Sequence, residues 1–183
     1  MIYIKFKKDE YISMKDSYRP SGKSYVHVND DKVLKIDSEY IAFLQTLSQK
    51  DCEEKCMMCL HNDIREHVHE MINVYPKGMY IRPHEHPFKT ETKIIIEGEL
   101  LVVLFDYSGK IIDRFIMGKN GIFTLRIDKG VIHTNIPLTN VVFHEIISGP
   151  FIGKEDSVFP KWAPEAENQS DVQAIMNKMK VWM

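Results

Sequence analysis

The sequence predicts a mainly β fold, a small jelly-roll barrel, and three observations carry that prediction. From His67 onward apolar and polar residues alternate with a period of two, as they do in strands with one buried face. The strands indicated in this way are short and rich in β-branched and aromatic residues. Turns that contain Gly, Pro, Asp or Asn separate them at regular intervals, which is typical of a barrel or jelly roll. The predicted strands are 78–86, 93–97, 99–105, 111–116, 121–125 and 141–147, with a tight turn at 106–109.

The 183-residue chain is long enough for one domain with extensions, because a single core serves roughly 100–150 residues. We expect the barrel to occupy residues 65–152. Around it the pattern predicts an extended N-terminal strand arm at 1–36, a helical segment at 37–64 and a C-terminal tail at 153–183. The tail should contain an amphipathic helix that Ser170 or Asp171 caps.

The helix before the barrel is indicated by apolar residues at helical spacing. Tyr40, Phe43, Leu44 and Leu47 recur every three or four positions, and Ser38 stands where an N-cap is favoured. Such a helix has a single apolar face. We therefore expect it to pack on the outside of the barrel.

Charge and composition narrow the function classes. The formal net charge is -2 and basic residues are not concentrated, so the electrostatic footprint of a nucleic-acid binder is absent from the sequence. The first residues lack the pattern of a signal peptide, and the longest apolar run, 100–105, is far shorter than the ~20 residues of a membrane helix. We expect a cytoplasmic protein with a small-molecule partner.

Two histidines two positions apart point to a metal. On an extended strand His84 and His86 face the same side, about 7 Å apart along the backbone. Glu91 follows after a short connection and can supply an oxygen, and His133 arrives later in the chain. Three imidazoles and one carboxylate suit one divalent transition metal, Fe, Mn, Ni, Cu or Zn, with coordination positions left open.

Other polar residues near this strand are candidates for substrate chemistry. Tyr80 and Arg82 alternate with the histidines and would share their face, so both are candidate catalytic residues. Arg82 or His69 could bind a substrate anion. His61 and His67 are as compatible with the surface as with the pocket.

The spacing of these ligands resembles the first motif of the cupin superfamily. Its fixed positions correspond to Gly78, His84, His86, Glu91 and Gly98. The second cupin motif is imperfect here. Gly121, Gly130 and His133 are present, but Asp128 stands where the family usually has proline and Pro137 where it usually has asparagine.

A narrower resemblance extends from about residue 61 to residue 165. The sequence 80–87, the stretch 98–106 with Gly109, Glu145 ahead of 149–151, and the segment 159–165 are similar to WbuC-type cupin-fold metalloproteins. Such proteins are commonly encoded among genes for O-antigen and other surface polysaccharides. The resemblance implies a cupin barrel, a bound metal and a role connected with sugars.

The leading hypothesis is a metal-dependent enzyme, of the isomerase or epimerase kind, that acts on a sugar or nucleotide-sugar intermediate of surface polysaccharide biosynthesis. One alternative is an Fe(II)-dependent dioxygenase of a small molecule that uses the same ligands. Another is a non-catalytic sensor or binding protein. Cupins host all of these activities, so fold and metal are implied more firmly than catalysis.

The three cysteines lie together, at Cys52, Cys56 and Cys59. Their spacing occurs in radical enzymes with iron–sulfur clusters, but this chain is too short and too rich in strands for the barrel of those enzymes. Cys56, Cys59 and His61 could bind zinc, although no fourth ligand is evident. We expect ordinary thiols on a helix.

The first strand predicts an oligomer. Residues 2–6 are β-prone and have no obvious hairpin partner nearby, and an unpaired strand edge tends to find another chain. We therefore expect a homodimer that uses the N-terminal arm.

Overall fold

The computed structural model describes residues 2–5, 11–17, 23–28, 33–50 and 55–181. Two α-helices, α1 at Ser38–Lys50 and α2 at Gln169–Lys180, and a short 3₁₀ helix at Gly153–Asp156 lie in these residues. The strands are β1 Ile2–Lys5, β2 Tyr11–Ser17, β3 Lys23–Val28, β4 Cys56–Cys59, β5 Val68–Tyr75, β6 Glu91–Glu97, β7 Glu99–Phe105, β8 Ile111–Gly118, β9 Thr124–Ile127, β10 Ile132–Pro137 and β11 Val141–Ser148.

The described strands form two sheets that pack face to face. The larger sheet has the order β1-β2-β3-β4-β5-β11-β6-β9, and the smaller one has the order β10-β7-β8. All pairs are antiparallel except β3 with β4. Ile95 and Phe143 of the larger sheet contact Leu100 and Val102 of the smaller one in a buried cluster. The mainly β architecture is as predicted, but the two sheets do not join into one continuous hydrogen-bonded barrel within the described residues.

Strand β7 is buried on both faces, which explains its run of apolar residues. Leu100 and Val102 face the larger sheet, whereas Leu101 and Val103 face outward into a second cluster that includes Met179 of α2. All four β7 side chains are fully buried. A strand covered on both sides has no need for alternation, so residues 100–105 of β7 are continuously apolar.

Helix α1 packs on the outside of the larger sheet, as predicted. Tyr40 and Leu44 are buried against Ile72 and Val74 on the outer face of β5. The N-cap differs from the prediction by one residue, because the side chain of Asp37 accepts a hydrogen bond of 2.9 Å from the backbone N–H of Tyr40. Aspartate caps a helix as well as serine does.

Helix α2 covers the smaller sheet with Met176 and Met179. Its N-cap is Asn168, whose side chain accepts from the backbone N–H of Asp171, so the predicted cap at Ser170 or Asp171 is wrong by two or three residues. In the described part of the chain, neither helix is long and apolar enough to cross a membrane.

The N-terminal arm extends the protein's own sheet. Strand β1 pairs with β2 in antiparallel fashion, with Ile2 opposite Met14. Strand β2 pairs with β3, and β3 pairs with β4 within the same larger sheet. The premise that the first strand lacks a partner nearby is therefore wrong. The homodimer stays a prediction, without that argument for it.

The segment 78–86 is not a regular strand, contrary to the prediction. It runs beside β10 and bonds to it or its flanks at separate points, where Gly78 donates to Pro137, His84 and His133 exchange two bonds, and Gly130 donates to His86. Pro83 has no N–H to donate, which is one reason why a continuous ladder does not form. Because the segment has no regular pleat, Tyr80 and Arg82 need not lie on the same face as His84 and His86.

Candidate metal centre

Three histidines meet at one end of the space between the sheets. His84 and His133 form a backbone bridge, in which the distance from the amide nitrogen to the carbonyl oxygen is 3.0 Å in one direction and 2.9 Å in the other. His86 follows two residues later on the same segment. The ring centroids are 4.6 Å apart for His84 and His133, 5.0 Å for His84 and His86, and 5.9 Å for His86 and His133.

Each of the three imidazoles is oriented by a backbone carbonyl. The Nδ1 atom of His84 lies 2.8 Å from the carbonyl oxygen of Arg82, that of His86 2.6 Å from Asp156, and that of His133 3.0 Å from Val131. A carbonyl oxygen only accepts, so each Nδ1 carries the hydrogen. A neutral ring then has its lone pair on Nε2, which is the arrangement that metal-binding histidines adopt.

The histidine ligand atoms converge closely enough to share an ion. One ring nitrogen from each of His84, His86 and His133 lies within 4.8 Å of the others, and His133 is 1% exposed. Among the described residues these three form the only group of histidine, cysteine and acidic side chains with that property. The three-histidine group could hold a metal ion.

Glu91, the fourth predicted ligand, lies next to this group. From strand β6 its Oε1 atom is 2.8 Å from Nε2 of His133, and its Oε2 atom is 3.7 Å from Nε2 of His86. It is not within the 4.8 Å group that contains all three histidines. When Nδ1 of His133 holds the ring's hydrogen, two lone pairs face each other across the 2.8 Å contact. A proton or a metal cation between them would relieve that repulsion, so the donor atoms fit a cation.

A buried lysine that the sequence reasoning missed lies beside the carboxylate. Lys93 is 1% exposed, its ammonium contacts Oε1 of Glu91, and it lies 3.4 Å from Oε1 of Glu145. Asn73 donates to the other oxygen of Glu145 at 3.2 Å. The available signal was the spacing of Glu91, Lys93 and Ile95, which lie two positions apart on β6 and therefore share its inward face.

Burial and neighbouring charges shift the pKa values of this cluster. The pKa of His84 falls well below 6.5 because the ring is buried, and His133 and His86 lower it further. Burial alone would raise the pKa of Glu91, but Lys93 and His133 hold it well below 4.5. Burial opposes the ammonium of Lys93, yet Glu91 and Glu145 raise its pKa above 10.5. His84 is therefore neutral at neutral pH and can donate a lone pair.

Residues 156–164, the covering segment, follow β11 and contact the histidines and the chain that carries them. Lys89 and Asp156 form a buried ion pair of 2.7 Å, which anchors the backbone carbonyl that His86 contacts. Val158 exchanges two backbone hydrogen bonds with Glu85, at 2.9 and 3.0 Å. The ring of Phe159 lies 6.0 Å from that of His84.

Tyr80 and Arg82 bind the tail of the chain. The hydroxyl of Tyr80 donates to the carbonyl of Pro164 at 2.8 Å, and burial raises its pKa to about 12. Arg82 donates to the carbonyl of Ala163 at 3.1 Å, and its guanidinium lies 4.8 Å from the centre of the Phe159 ring. These contacts hold the covering segment in place. A catalytic role for either residue stays a prediction.

The remaining candidates lie outside the histidine group. His61 and His69 are both buried and stack with ring centroids 4.0 Å apart, whereas His67 is exposed. Cys56 and Cys59 are buried on strand β4, so the prediction that they lie on a helix is wrong. Cys52 lies outside the described residues.

Comparison with known proteins supports the fold. A family model described as a domain of unknown function (DUF6016) matches residues 36–117. Curated protein sequences gave no match. Among solved structures, the capsular polysaccharide assembling protein CapF from Staphylococcus aureus is similar at 11% identity with a TM-score of 0.50, over 84% of this chain and 36% of that chain.

Two further structures are similar at lower TM-scores. A conserved protein of unknown function from Streptococcus pyogenes has 13% identity and a TM-score of 0.47, over 68% of this chain and 95% of that chain. A cupin superfamily protein from Desulfitobacterium hafniense has 15% identity and a TM-score of 0.43, over 52% of this chain and 77% of that chain. The chain spans about a third of the CapF chains it resembles. The two packed sheets and the likeness to CapF confirm the predicted mainly β, jelly-roll fold.

Proposed function

We propose that the protein binds one divalent transition metal through Nε2 of His84, His86 and His133, with Glu91 as a fourth ligand, and that it is a metal-dependent enzyme. The observation that carries the proposal is the set of three contacts from Nδ1 to backbone carbonyls, which leaves Nε2 of each ring free to bind a metal in a group whose ligand atoms lie within 4.8 Å of one another. A histidine buried for packing alone would not need this shared orientation.

The donor set favours an open rather than a structural site. Three nitrogens and one oxygen suit Fe, Mn, Ni, Cu or Zn, and an ion that prefers six ligands would keep positions for water or substrate. A metal in such a site polarises a substrate carbonyl or hydroxyl oxygen. The protein contributes the orientation of the imidazoles, and Phe159 and the covering segment limit the access of water to His84.

A sugar or nucleotide-sugar intermediate of surface polysaccharide biosynthesis in the cytoplasm is the proposed substrate class. Two observations support it: the sequence resembles WbuC-type cupins, and the fold is similar to that of CapF, which is named for capsular polysaccharide assembly. Arg82 beside Phe159 is the proposed binding residue for an anionic group such as a diphosphate, which would compete with Glu165, whose Oε1 atom lies 3.5 Å from the Arg82 guanidinium.

The test begins with protein purified without a histidine tag. Elemental analysis should find close to one equivalent of a first-row divalent metal. Nucleotide sugars should then be converted by the metal-loaded protein and not by the His84→Ala/His86→Ala variant, with His67→Ala as a control at an exposed histidine. Protein that folds and cannot be loaded with metal would refute the site. Stoichiometric oxygen consumption instead of isomerisation would replace this reaction by that of a dioxygenase.

A further inference from the structure

We infer that Lys93 and Glu145 are positioning residues that set the charge of the metal centre through Glu91, and that removing them shifts metal affinity in opposite directions. The inference rests on the proposed function, because it requires that the histidines and Glu91 bind a cation.

The three charged side chains lie in a row on the inner face of the larger sheet. Lys93 is opposite Glu145 in the register of β6 and β11, and Glu91 is one inward-facing position away on β6. The ammonium of Lys93 contacts Glu91 on one side and lies 3.4 Å from Glu145 on the other. The side chains of Glu91 and Lys93 are 3% and 2% exposed, so solvent screens their charges little.

These contacts give the centre a defined charge. Imidazoles bind metals as neutral ligands. Glu91 and Glu145 together with Lys93 therefore leave a single net negative charge to offset a divalent ion. If the lysine were absent, two carboxylates would face the ion. If Glu145 were absent, the charges of Lys93 and Glu91 would cancel and the site would offer no net charge.

A purely structural ion pair would behave differently. Buried charge pairs often contribute no net stability compared with apolar residues of similar size, and breaking one lowers stability whichever partner is removed. Loss of either Lys93 or Glu145 would then weaken metal binding or leave it unchanged. Opposite signs are expected only if the charges act on the bound cation.

The experiment measures Zn²⁺ affinity by competition with a chromophoric chelator for four proteins: wild type, Lys93→Met, Glu145→Gln and the double variant. Lys93→Met should bind Zn²⁺ about tenfold more tightly and Glu145→Gln about tenfold more weakly. The double variant restores the net charge of the wild type and should bind with similar affinity. Lys119→Met and Glu167→Gln change exposed charges and serve as matched controls with wild-type affinity.

The outcomes separate this inference from the proposed function. If the wild type does not bind Zn²⁺, the metal site itself is refuted and the inference falls with it. If the wild type binds and both single variants shift affinity in the same direction, or neither does, the metal site stands and the inference is overturned. Should Lys93→Met fail to fold, Lys93→Gln takes its place: binding tighter than that of the wild type supports the inference, and weaker or unchanged binding overturns it.

Discussion

The two ends of the space between the sheets are built from the same strands but serve different purposes. On β6, Ile95 belongs to a fully apolar cluster with Phe143 and Val102, whereas Lys93 and Glu91, further along the same face, are charged and buried. The apolar end gains free energy from burial. The charged end incurs a desolvation cost that its ion pairs only partly offset. This cost beside three aligned histidines is what we expect of a site built for a cation, and the comparison can be tested at both ends.

The largest effect should come from the histidines at the charged end. His84→Ala and His86→Ala should each weaken metal binding by about 100-fold or more, because each removes an Nε2 donor that its carbonyl contact orients. The melting temperature of the metal-free protein should change little, since the apolar clusters supply most of the core. Calorimetric metal titration combined with thermal unfolding checks both statements. Wild-type affinity in both variants would contradict the site.

At the apolar end a substitution should lower stability and leave metal affinity unchanged, which is the reverse of the histidine substitutions. Phe143 is fully buried, so Phe143→Ala should lower the free energy of unfolding by about 3–5 kcal/mol. The fraction that remains folded should bind metal with unchanged affinity, because Phe143 lies in the cluster away from the histidines. Urea denaturation measures the first quantity and metal titration at low temperature the second. A large loss of metal affinity in the folded fraction would show that the two ends are not separable.

Acid should destabilise the metal-free protein through the charged end. The pKa of His84 is lowered from 6.5, so the unfolded chain takes up this proton first and stability falls as the pH drops below about 6.5. The pKa of Glu91 is lowered from 4.5, so its contribution is present above 4.5 and is lost as the pH falls further. Urea denaturation with chelator present, at several pH values, should show both losses. In His84→Ala the first loss should be smaller, and constant stability between pH 8 and pH 4 would contradict this account.

Substitution of the cysteines should have the smallest effect on metal binding. Cys56 and Cys59 lie on β4 and are absent from the histidine group, so replacing them together with Cys52 by serine should leave the metal content unchanged. Burial of two serine hydroxyls should lower stability modestly. Elemental analysis of the folded triple variant decides the point. Loss of metal would revive a cysteine site.

The sequence was most informative where spacing and chemistry act together. The spacing grouped His84, His86 and His133, and the structure brings these three together. The helical period of α1 predicts that it packs outside the sheets, and this is confirmed. The prediction of a pleated strand at 78–86 is wrong and β10 is not predicted, because neither is defined by local contacts. The segment 78–86 bonds to residues between Gly130 and Pro137, and β10 pairs with β7. Pro83 is a local signal against a regular strand there, because proline cannot donate a hydrogen bond to a ladder.

The row of charged side chains formed by Glu91, Lys93 and Glu145 could not be predicted from local pattern alone. Lys93 and Glu145 are 52 positions apart in the sequence, and only the register of β6 with β11 brings them together. A lysine on a strand is ordinarily assigned to the surface. The pairing of β1 with β2 is not predicted either, since residues 6–10 between them carry no strong turn signal in the sequence.

X-ray absorption spectroscopy of the protein loaded with one equivalent of Zn²⁺ or Co²⁺ tests the central claim most directly. We expect a first coordination shell of nitrogen and oxygen only, with the multiple-scattering signature of about three imidazoles. The shell should retain about two imidazoles in His84→Ala. A shell that contains sulfur, or one with no imidazole signature, would contradict the assignment of the metal centre to His84, His86 and His133.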